Sequence, residues 1–159
     1  MPLCWGKNRS FLDQSPSICV FVEVNQNNLC LQSLNHYFRY KLRYYNLILH
    51  ENKVTQQPGI IVLINKSCHL KLVYKEEIDP NCLNLSLRYE DTTYGIFCTY
   101  EPSKRRDTNF LYNLRRNQLN STEDHTAIIG DLNCTVDPVM DKVGYTADHH
   151  WHCREVIKE

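Results

Sequence analysis

The stretch TAIIGDLN at residues 126–133 is the part of the sequence that best indicates the fold. Its apolar half, which ends at a glycine, is typical of a short buried strand. After Gly130 the chain presents Asp131 and Asn133, which leave an extended backbone on the same face because they are two residues apart. This pair suits work on a phosphate and its attacking water, since Asp accepts a proton or holds a cation while Asn donates to a phosphoryl oxygen. The alternative is a turn in which both side chains cap their own backbone.

Strands and a few helices alternate through the rest of the chain. The β-branched and aromatic run Ile18–Val24 predicts a strand that is buried on both faces. Apolar spacing predicts helices after the polar stretch 25–28 and over residues 104–119. Residues 70–74 and 83–89 alternate like a half-exposed antiparallel pair joined by a turn at 76–81. Further strands are predicted at residues 44–49, 60–64 and 94–100.

The totals describe one globular domain rather than a disordered chain. The sequence has 159 residues, of which 42% are hydrophobic and 23% charged, enough for a real core. Without an internal repeat or linker, the segments predict a single α/β unit, with residues 1–10 as a leader and residues 11–159 as the domain. Basic and acidic residues balance at 18 each, so no global field attracts the protein to nucleic acid or to an anionic membrane.

The cysteines and the apolar runs bear on the compartment. Eight cysteines are scattered without a CxxC pair, which favours free thiols in a reducing compartment over structural disulfides. No apolar run approaches the ~18 residues of a membrane span. The basic start has no apolar segment after it, so we expect neither a secretory signal nor a membrane partner.

Two further residues carry candidate chemistry. Glu23 is a lone carboxylate near the end of an apolar strand, where a cation, an Arg or solvent must satisfy its charge. Carboxylate oxygens are the ligands that Mg²⁺ prefers, although a solvent-facing edge residue is the alternative. Tyr100 ends the strand 94–100, where its phenol could reach a phosphate oxygen; the alternative is an amphipathic residue at the edge of the core.

Taken in order, these features carry a resemblance. A strand ending in Glu23, a strand GIIVLI at 59–64, a strand ending in Tyr100-Glu-Pro, a helix and GDLN at 130–133 form a layout that resembles the endonuclease/exonuclease/phosphatase family. The stretch IGDLNCTVDPVMDKVG at 129–144 is similar to the LINE-type (non-LTR) retrotransposon endonucleases, as is CREVI at the end of the chain. The resemblance covers most of the chain, and its motifs are specific in combination and weak singly. It implies a four-layer α/β fold, in which a two-sheet sandwich is flanked by helices.

The resemblance also implies roles for individual residues. Glu23 would be the ligand of Mg²⁺, with Mn²⁺ as an alternative ion, and Tyr100 would contact the phosphate. Asp131 would orient or deprotonate the attacking water, Asn133 would bind the scissile phosphate, and Asp141 would be structural. The implied reaction is hydrolysis of a phosphodiester in a DNA target-site duplex. The implied surroundings are the nucleus and an element-encoded reverse transcriptase in the parent protein, with the oligomeric state open.

The departures from that family are equally informative. No Asn-bearing strand precedes Ile18, and the chain reaches Glu159 without a Ser-Asp-His strand. Val22 precedes Glu23 where the family has Gln, and GDLN and YEPS replace GDFN and YAPN. The resemblance therefore implies a partial or degenerate domain, incomplete at both ends, with exposed sheet edges. Two alternatives stay open: a catalytically inactive DNA-binding remnant, and a small-substrate phosphodiesterase or phosphatase of the same family.

Two clusters admit a second interpretation. The tail DHHWHC at 148–153 has Zn²⁺-binding residue types, but adjacent imidazoles do not easily face one ion, so a surface segment is favoured. Basic clusters could contact DNA phosphates, although such runs are usually a solvated face. These clusters are Arg39, Lys41 and Arg43; Lys104, Arg105 and Arg106; and Arg115 with Arg116.

Overall fold

A computed structural model of the chain describes residues 12–24, 40–50, 59–101 and 108–132. Within these ranges lie seven strands, an α-helix (α1) and a short 3₁₀ turn at Lys66–Cys68. Residues 12–13 and 40–42 are also helical. The bounds are β1 Ile18–Val24, β2 Tyr45–His50, β3 Gly59–Asn65, β4 Lys71–Asp79, β5 Cys82–Tyr89, β6 Thr92–Tyr100, α1 Thr108–Leu119 and β7 His125–Asp131.

The strands form two sheets. The first sheet has the order β1-β3-β2, with both pairs antiparallel. The second has the order β4-β5-β6-β7, antiparallel except for the parallel pair β6–β7. Parallel neighbours need a long crossover, which the segment carrying α1 supplies.

The core lies in three layers around these sheets. The inner faces of the two sheets meet in the largest cluster, and α1 covers the outer face of the second sheet. Each fully buried aliphatic side chain contributes about 1.5–3 kcal/mol. The inter-sheet cluster contains Ile48, Ile60, Val62, Ile64, Leu83, Leu85, Leu87, Ile96, Cys98 and Tyr100. The outer cluster of the first sheet contains Leu12, Cys19, Val24, Tyr45, Ile61 and Leu63, and the cluster under α1 contains Cys82, Phe97, Phe110, Leu111 and Leu114.

The two-sheet α/β sandwich expected from the sequence is confirmed, and each predicted strand has a counterpart. The central strands β3 and β5 are the most buried. The expectation of a half-exposed β5 is wrong, because its alternate residues Asn84 and Ser86 lie on the face that α1 covers and are buried. β4 continues to Asp79, which leaves Pro80-Asn81 as the turn. The predicted helix that follows residues 25–28 lies outside the described residues.

The expectation of a buried β7 is also wrong. Ile128 and Ile129 are 36% and 37% exposed, and β7 pairs with β6 on one side only. A short apolar run is compatible with a central strand and with an edge strand, so its pattern alone does not separate them. β1 occupies the corresponding edge of the first sheet, and it lies against β6 and β7 across the sandwich.

The thiols agree with the sequence analysis. The four cysteines within the described ranges, Cys19, Cys68, Cys82 and Cys98, are free. Burial raises the pKa of the Cys19 thiol to about 11 and the pKa values of Cys82 and Cys98 to about 12, so these thiols stay protonated and unreactive near neutral pH. Among the helices of the described ranges, none is long and apolar enough to span a membrane.

Candidate active site

One end of the sandwich collects the candidate residues. β1 and β2 run parallel because both are antiparallel to β3. β4 and β6 share a direction because both are antiparallel to β5, and β7 is parallel to β6. His50, the last residue of β2, has its Nε2 3.1 Å from the carbonyl oxygens of Asp79 and Pro80 at the end of β4. The carboxyl ends of all five strands therefore lie together. We call this the site end; it includes Glu23, Tyr100 and Asp131.

Glu23 reaches the site end through a β-bulge. The pairing of β1 with β3 shifts between Phe21 and Val24, and Glu23 has a left-handed backbone with φ 56°. Strict alternation would put residues 19 and 24 on opposite faces, yet Cys19 and Val24 pack in the same outer cluster. The extra residue thus turns Glu23 out of the ladder, and its exposed side chain is solvated. Such bulges occur often beside active sites, where they re-aim a side chain.

Tyr100 is a core residue at the site end. It is 1% exposed and belongs to the inter-sheet cluster. Its backbone N–H donates to the carbonyl of Asn81 at 3.1 Å, and the hydroxyl of Thr99 donates to the same oxygen at 3.0 Å. The structure therefore encloses the phenol between the sheets, as expected for an amphipathic residue at the edge of the core.

Asp131 is the last residue of β7 and the direct neighbour of Tyr100 across the parallel pair. The two side chains leave on the same face of the sheet. Asp131 is exposed, and its carbonyl accepts the backbone N–H of Glu101 at 2.8 Å. Asn133, the other half of the predicted pair, lies outside the described residues, as does Asp141.

Gly130 explains why glycine precedes this aspartate. Its φ is 153°, and a Cβ at this position would lie 1.6 Å from the carbonyl oxygen of Thr99. That distance is far inside van der Waals contact, and the obstacle is backbone of the neighbouring strand β6. Only glycine lets β7 approach β6 this closely and then present Asp131.

The sequence analysis did not identify His50, Asn81 or Glu101 as part of this end. His50 is 3% exposed, and its Nδ1 lies 3.4 Å from a carboxylate oxygen of Glu77. Asn81 and Glu101 are also buried. A histidine that closes an apolar strand signals a buried polar group in need of partners, but the partners belong to another sheet and the pattern does not name them.

One side of the site end is acidic. A cavity of about 380 Å³ lies between the β4–β5 turn and α1, and its lining includes Glu76, Glu77, Asp79 and Glu101. Burial raises the pKa of Glu77, but hydrogen bonds from His50 and Lys75 outweigh it and hold the pKa below its ordinary value. A lining this acidic repels phosphate.

The described part of the first predicted basic cluster, Lys41 and Arg43, lies away from the site end. Lys41 is paired with Asp13 at 2.9 Å. The guanidinium of Arg43 stacks on the exposed rings of Tyr40 and Tyr44, at 3.9 and 4.7 Å from their centroids. This group precedes β2 and therefore lies at the opposite end of the sandwich. Arg39, residues 104–106 and the 148–153 tail lie outside the described residues.

Comparison with known proteins gives the fold. No protein-family model matches the chain, and no curated protein matches it. The fold is similar to D. rerio TDP2 in a complex with a single-strand DNA product, with TM-score 0.64 and 15% identity over 84% of this chain and 54% of that one. It is also similar to ANGEL2, a 2′,3′-cyclic phosphatase, with TM-score 0.58 and 12% identity over 82% of this chain and 42% of that one.

A third similar structure is the human Nocturnin catalytic domain with a bound sulfate anion, with TM-score 0.55 and 14% identity over 83% of this chain and 58% of that one. The chain thus spans about half the length of the solved structures that it matches. These likenesses show a two-sheet sandwich of the endonuclease/exonuclease/phosphatase type.

Proposed function

We propose that this chain is a partial metal-dependent DNA endonuclease domain of the kind carried by LINE-type (non-LTR) retrotransposons. The observation that carries the proposal is the site end, because Glu23 lies at the same end of the sandwich as the neighbouring pair Tyr100 and Asp131. Their order along the chain is the order in which the resemblance to that family assigns metal, phosphate and water to them. The D. rerio TDP2 complex with a single-strand DNA product has the same kind of fold.

A divalent cation fits the residues at this end. Mg²⁺ is usually held by one or two carboxylates, while waters and substrate phosphate complete its shell. No group of three or more His, Cys, Asp or Glu side chains forms a closed cage in the parts of the chain that the structure describes. Glu23, exposed and outside its strand's ladder, fits the open kind of site. A bound Mg²⁺ or Mn²⁺ would offset charge on the phosphate and on the leaving oxygen.

The protein's own groups would do the remaining work. Asp131 accepts the proton of an attacking water or orients that water, since an exposed carboxylate can do both. Gly130 fixes where that carboxylate stands, because the backbone of β7 cannot carry a side chain one residue earlier. Tyr100 is the neighbour of Asp131 on β6, and its burial in the inter-sheet cluster anchors this end of the β6–β7 pair. Asn133 binds the scissile phosphate in this proposal.

The experiment is nicking of a supercoiled plasmid with Mg²⁺ by the purified chain and two variants, Glu23→Gln and Asp131→Asn. We expect each to lower the rate by about 100-fold, because each removes a group that acts on the reacting phosphate or water. Glu90→Gln is the matched control. Glu90 also has a left-handed backbone, with φ 52°, but it lies in the β5–β6 turn at the opposite end of the sandwich. Equal rates for the protein and all three variants would exclude the proposed site.

Assays on the same purified chain distinguish two alternative functions. ANGEL2, a 2′,3′-cyclic phosphatase, has a similar fold, which favours a small-substrate phosphodiesterase as the second candidate. Release of product from a 2′,3′-cyclic nucleotide without plasmid nicking would support it. Salt-dependent binding of a DNA duplex without any cleavage would instead support a catalytically inactive DNA-binding remnant.

The proposal extends to the surroundings of the chain. An endonuclease of this kind would act in the nucleus, as one part of a protein that also contains the element's reverse transcriptase. The genomic sequence that flanks the coding region tests this part, because it would contain a reverse-transcriptase reading frame downstream. A flanking region without one would argue for a cellular phosphodiesterase.

A further inference from the structure

We propose that His50 is a positioning residue, which clamps the β4–β5 turn and through it holds Tyr100 and Asp131 in place. The inference about the clamp stands on hydrogen bonds within the described residues. Its consequence for catalysis rests on the proposed function.

The clamp joins the two sheets. His50 closes β2 in the first sheet, whereas the oxygens it contacts belong to Asp79 and Pro80 at the end of β4 in the second. Both contacts are 3.1 Å. The ring is buried, so the two contacts do not compete with bulk water. A second tie runs beside it, because the ammonium of Lys75 on β4 donates to the carbonyl of Leu49 at 2.9 Å.

The chemistry of the contacts fixes the tautomer. Carbonyl oxygens only accept hydrogen bonds, so Nε2 of His50 must carry the proton and donate. The other ring nitrogen, Nδ1, faces Glu77 and lies 3.4 Å from its carboxylate oxygen. The ammonium of Lys75 approaches the same carboxylate at 3.4 Å.

The β4–β5 turn, which His50 holds, is in turn hydrogen-bonded to Tyr100 through Asn81. Asn81 is 1% exposed, and its N–H donates to the side chain of Asp79 at 3.0 Å. Its carbonyl accepts from the Tyr100 amide and from the Thr99 hydroxyl. The oxygen that holds Tyr100 therefore belongs to the residue directly after Pro80, whose oxygen His50 holds.

The last step reaches Asp131. Tyr100 and Asp131 are partners in the parallel pair β6–β7, and the Glu101 amide donates to the Asp131 carbonyl at 2.8 Å. An outward shift of the β4–β5 turn would thus move the carboxyl ends of β6 and β7 together. Among the described strands, β7 is hydrogen-bonded only to β6, so a shift of β6 is passed directly to it.

A histidine that only fills the core predicts a different outcome from one that positions the site end. Loss of packing would weaken the fold evenly, whereas loss of the clamp would loosen the site end and leave the middle of the sheets closed. The geometry of the ring offers matched variants. The amide nitrogen of Gln falls near the position of Nε2, whereas the amide of Asn falls near Nδ1.

The experiment measures amide hydrogen exchange and plasmid nicking for the intact chain with His50→Gln and His50→Asn. For His50→Asn we expect the amides of Tyr100 and Glu101 to exchange about tenfold faster, while the amides of Val62 and Leu85 in the central strands keep their rates. We expect kcat for nicking to fall about tenfold with little change in KM. His50→Gln should restore both quantities to within about threefold of the parent protein.

The outcomes separate this inference from the proposed function. Faster exchange confined to Tyr100 and Glu101 supports the clamp even if no variant nicks DNA, in which case the proposed function alone fails. Equal acceleration at Val62 and Leu85 would overturn the clamp, and so would unchanged exchange at Tyr100. A His50→Gln protein no better than His50→Asn would overturn the role of Nε2, whatever the nicking activity.

Discussion

The two candidate carboxylates lie on β1 and β7, and each of these is an outer strand of its sheet among the described strands. The two strands bring their carboxylates to the site end by different backbone conformations. β7 passes a residue that has no side chain, Gly130, and then presents Asp131. β1 inserts an extra residue, and Glu23 itself takes the left-handed conformation. On β7 the unusual backbone conformation falls on Gly130, which adopts it without a steric cost. On β1 it falls on Glu23, the candidate site residue itself.

This difference has an energetic meaning. A non-glycine residue held in a sparsely populated backbone region costs of order 1–3 kcal/mol and persists only where its surroundings impose it. Glu23 is exposed and near the end of its strand, so packing of its own side chain does not offset that cost. The strain at β1 therefore has another origin, and the metal-ligand role proposed for Glu23 would be a reason to retain it.

The largest expected effect tests the β7 half of the comparison. Gly130→Ala would place a Cβ 1.6 Å from the Thr99 carbonyl oxygen, so β7 must separate from β6. We expect a loss of at least about 4 kcal/mol in the free energy of unfolding, measured by denaturant titration. Gly95→Ala in the same sheet is the control. There the nearest atoms are side-chain atoms of Ser121 and Thr126 at 3.2 and 3.3 Å, and we expect a cost of about 1 kcal/mol. Similar costs at the two glycines would contradict this account.

The second effect tests the β1 half and has the opposite sign. Glu23→Gly removes the left-handed strain, so we expect the free energy of unfolding to rise by about 1 kcal/mol while plasmid nicking is lost. Glu90→Gly is the matched control, because Glu90 has φ 52° in a turn away from the site end. It should stabilise by a similar amount and keep the nicking rate. A destabilised Glu23→Gly protein would show that the bulge depends on the glutamate side chain.

The same comparison explains how far the sequence could predict this site. β7 needs a residue without a Cβ directly before Asp131, and the sequence has a glycine there. Residues 130 and 131 could therefore be identified from the pattern. The bulge at β1 leaves no such mark, because the run Ile18–Val24 contains no glycine or proline. Glu23 could be identified from its charge but not from its backbone conformation. The sheets were predictable because their strands are continuous apolar or alternating runs.

Long-range partners set the limit of that prediction. The burial of Asn84 and Ser86 on β5 depends on the segments that cover the outer face of the second sheet. The exposure of β7 depends on its position beside β6 at one end of the described sheet. His50 finds its partners on β4, about thirty residues further along the chain. Neither periodicity nor propensity carries such information, since both describe only neighbours in sequence.

The smallest expected effect concerns the opposite end of β7, at Asp124, the residue before the strand begins. The backbone N–H and the hydroxyl of Thr93 both donate to its carboxylate at 2.8 Å. These bonds, the backbone one first, hold the pKa of Asp124 below its ordinary value of 3.8. A carboxyl group with a lowered pKa in the folded state stabilises the protein above its ordinary pKa. That contribution is lost as the pH falls through the folded value.

We therefore expect Asp124→Asn to be less stable than the parent protein at pH 6, and the difference in their free energies of unfolding to shrink from about pH 4 downward. Thr93→Val removes the hydroxyl donor but keeps the backbone N–H, so it should remove the smaller part of the pH-dependent difference. Denaturant titrations between pH 2 and 6 measure both variants. A difference that stays constant over this range would mean that Asp124 joins β7 to β6 by packing rather than by charge. The two ends of β7 would then differ in kind, with steric fit at Gly130 and no electrostatic counterpart at Asp124.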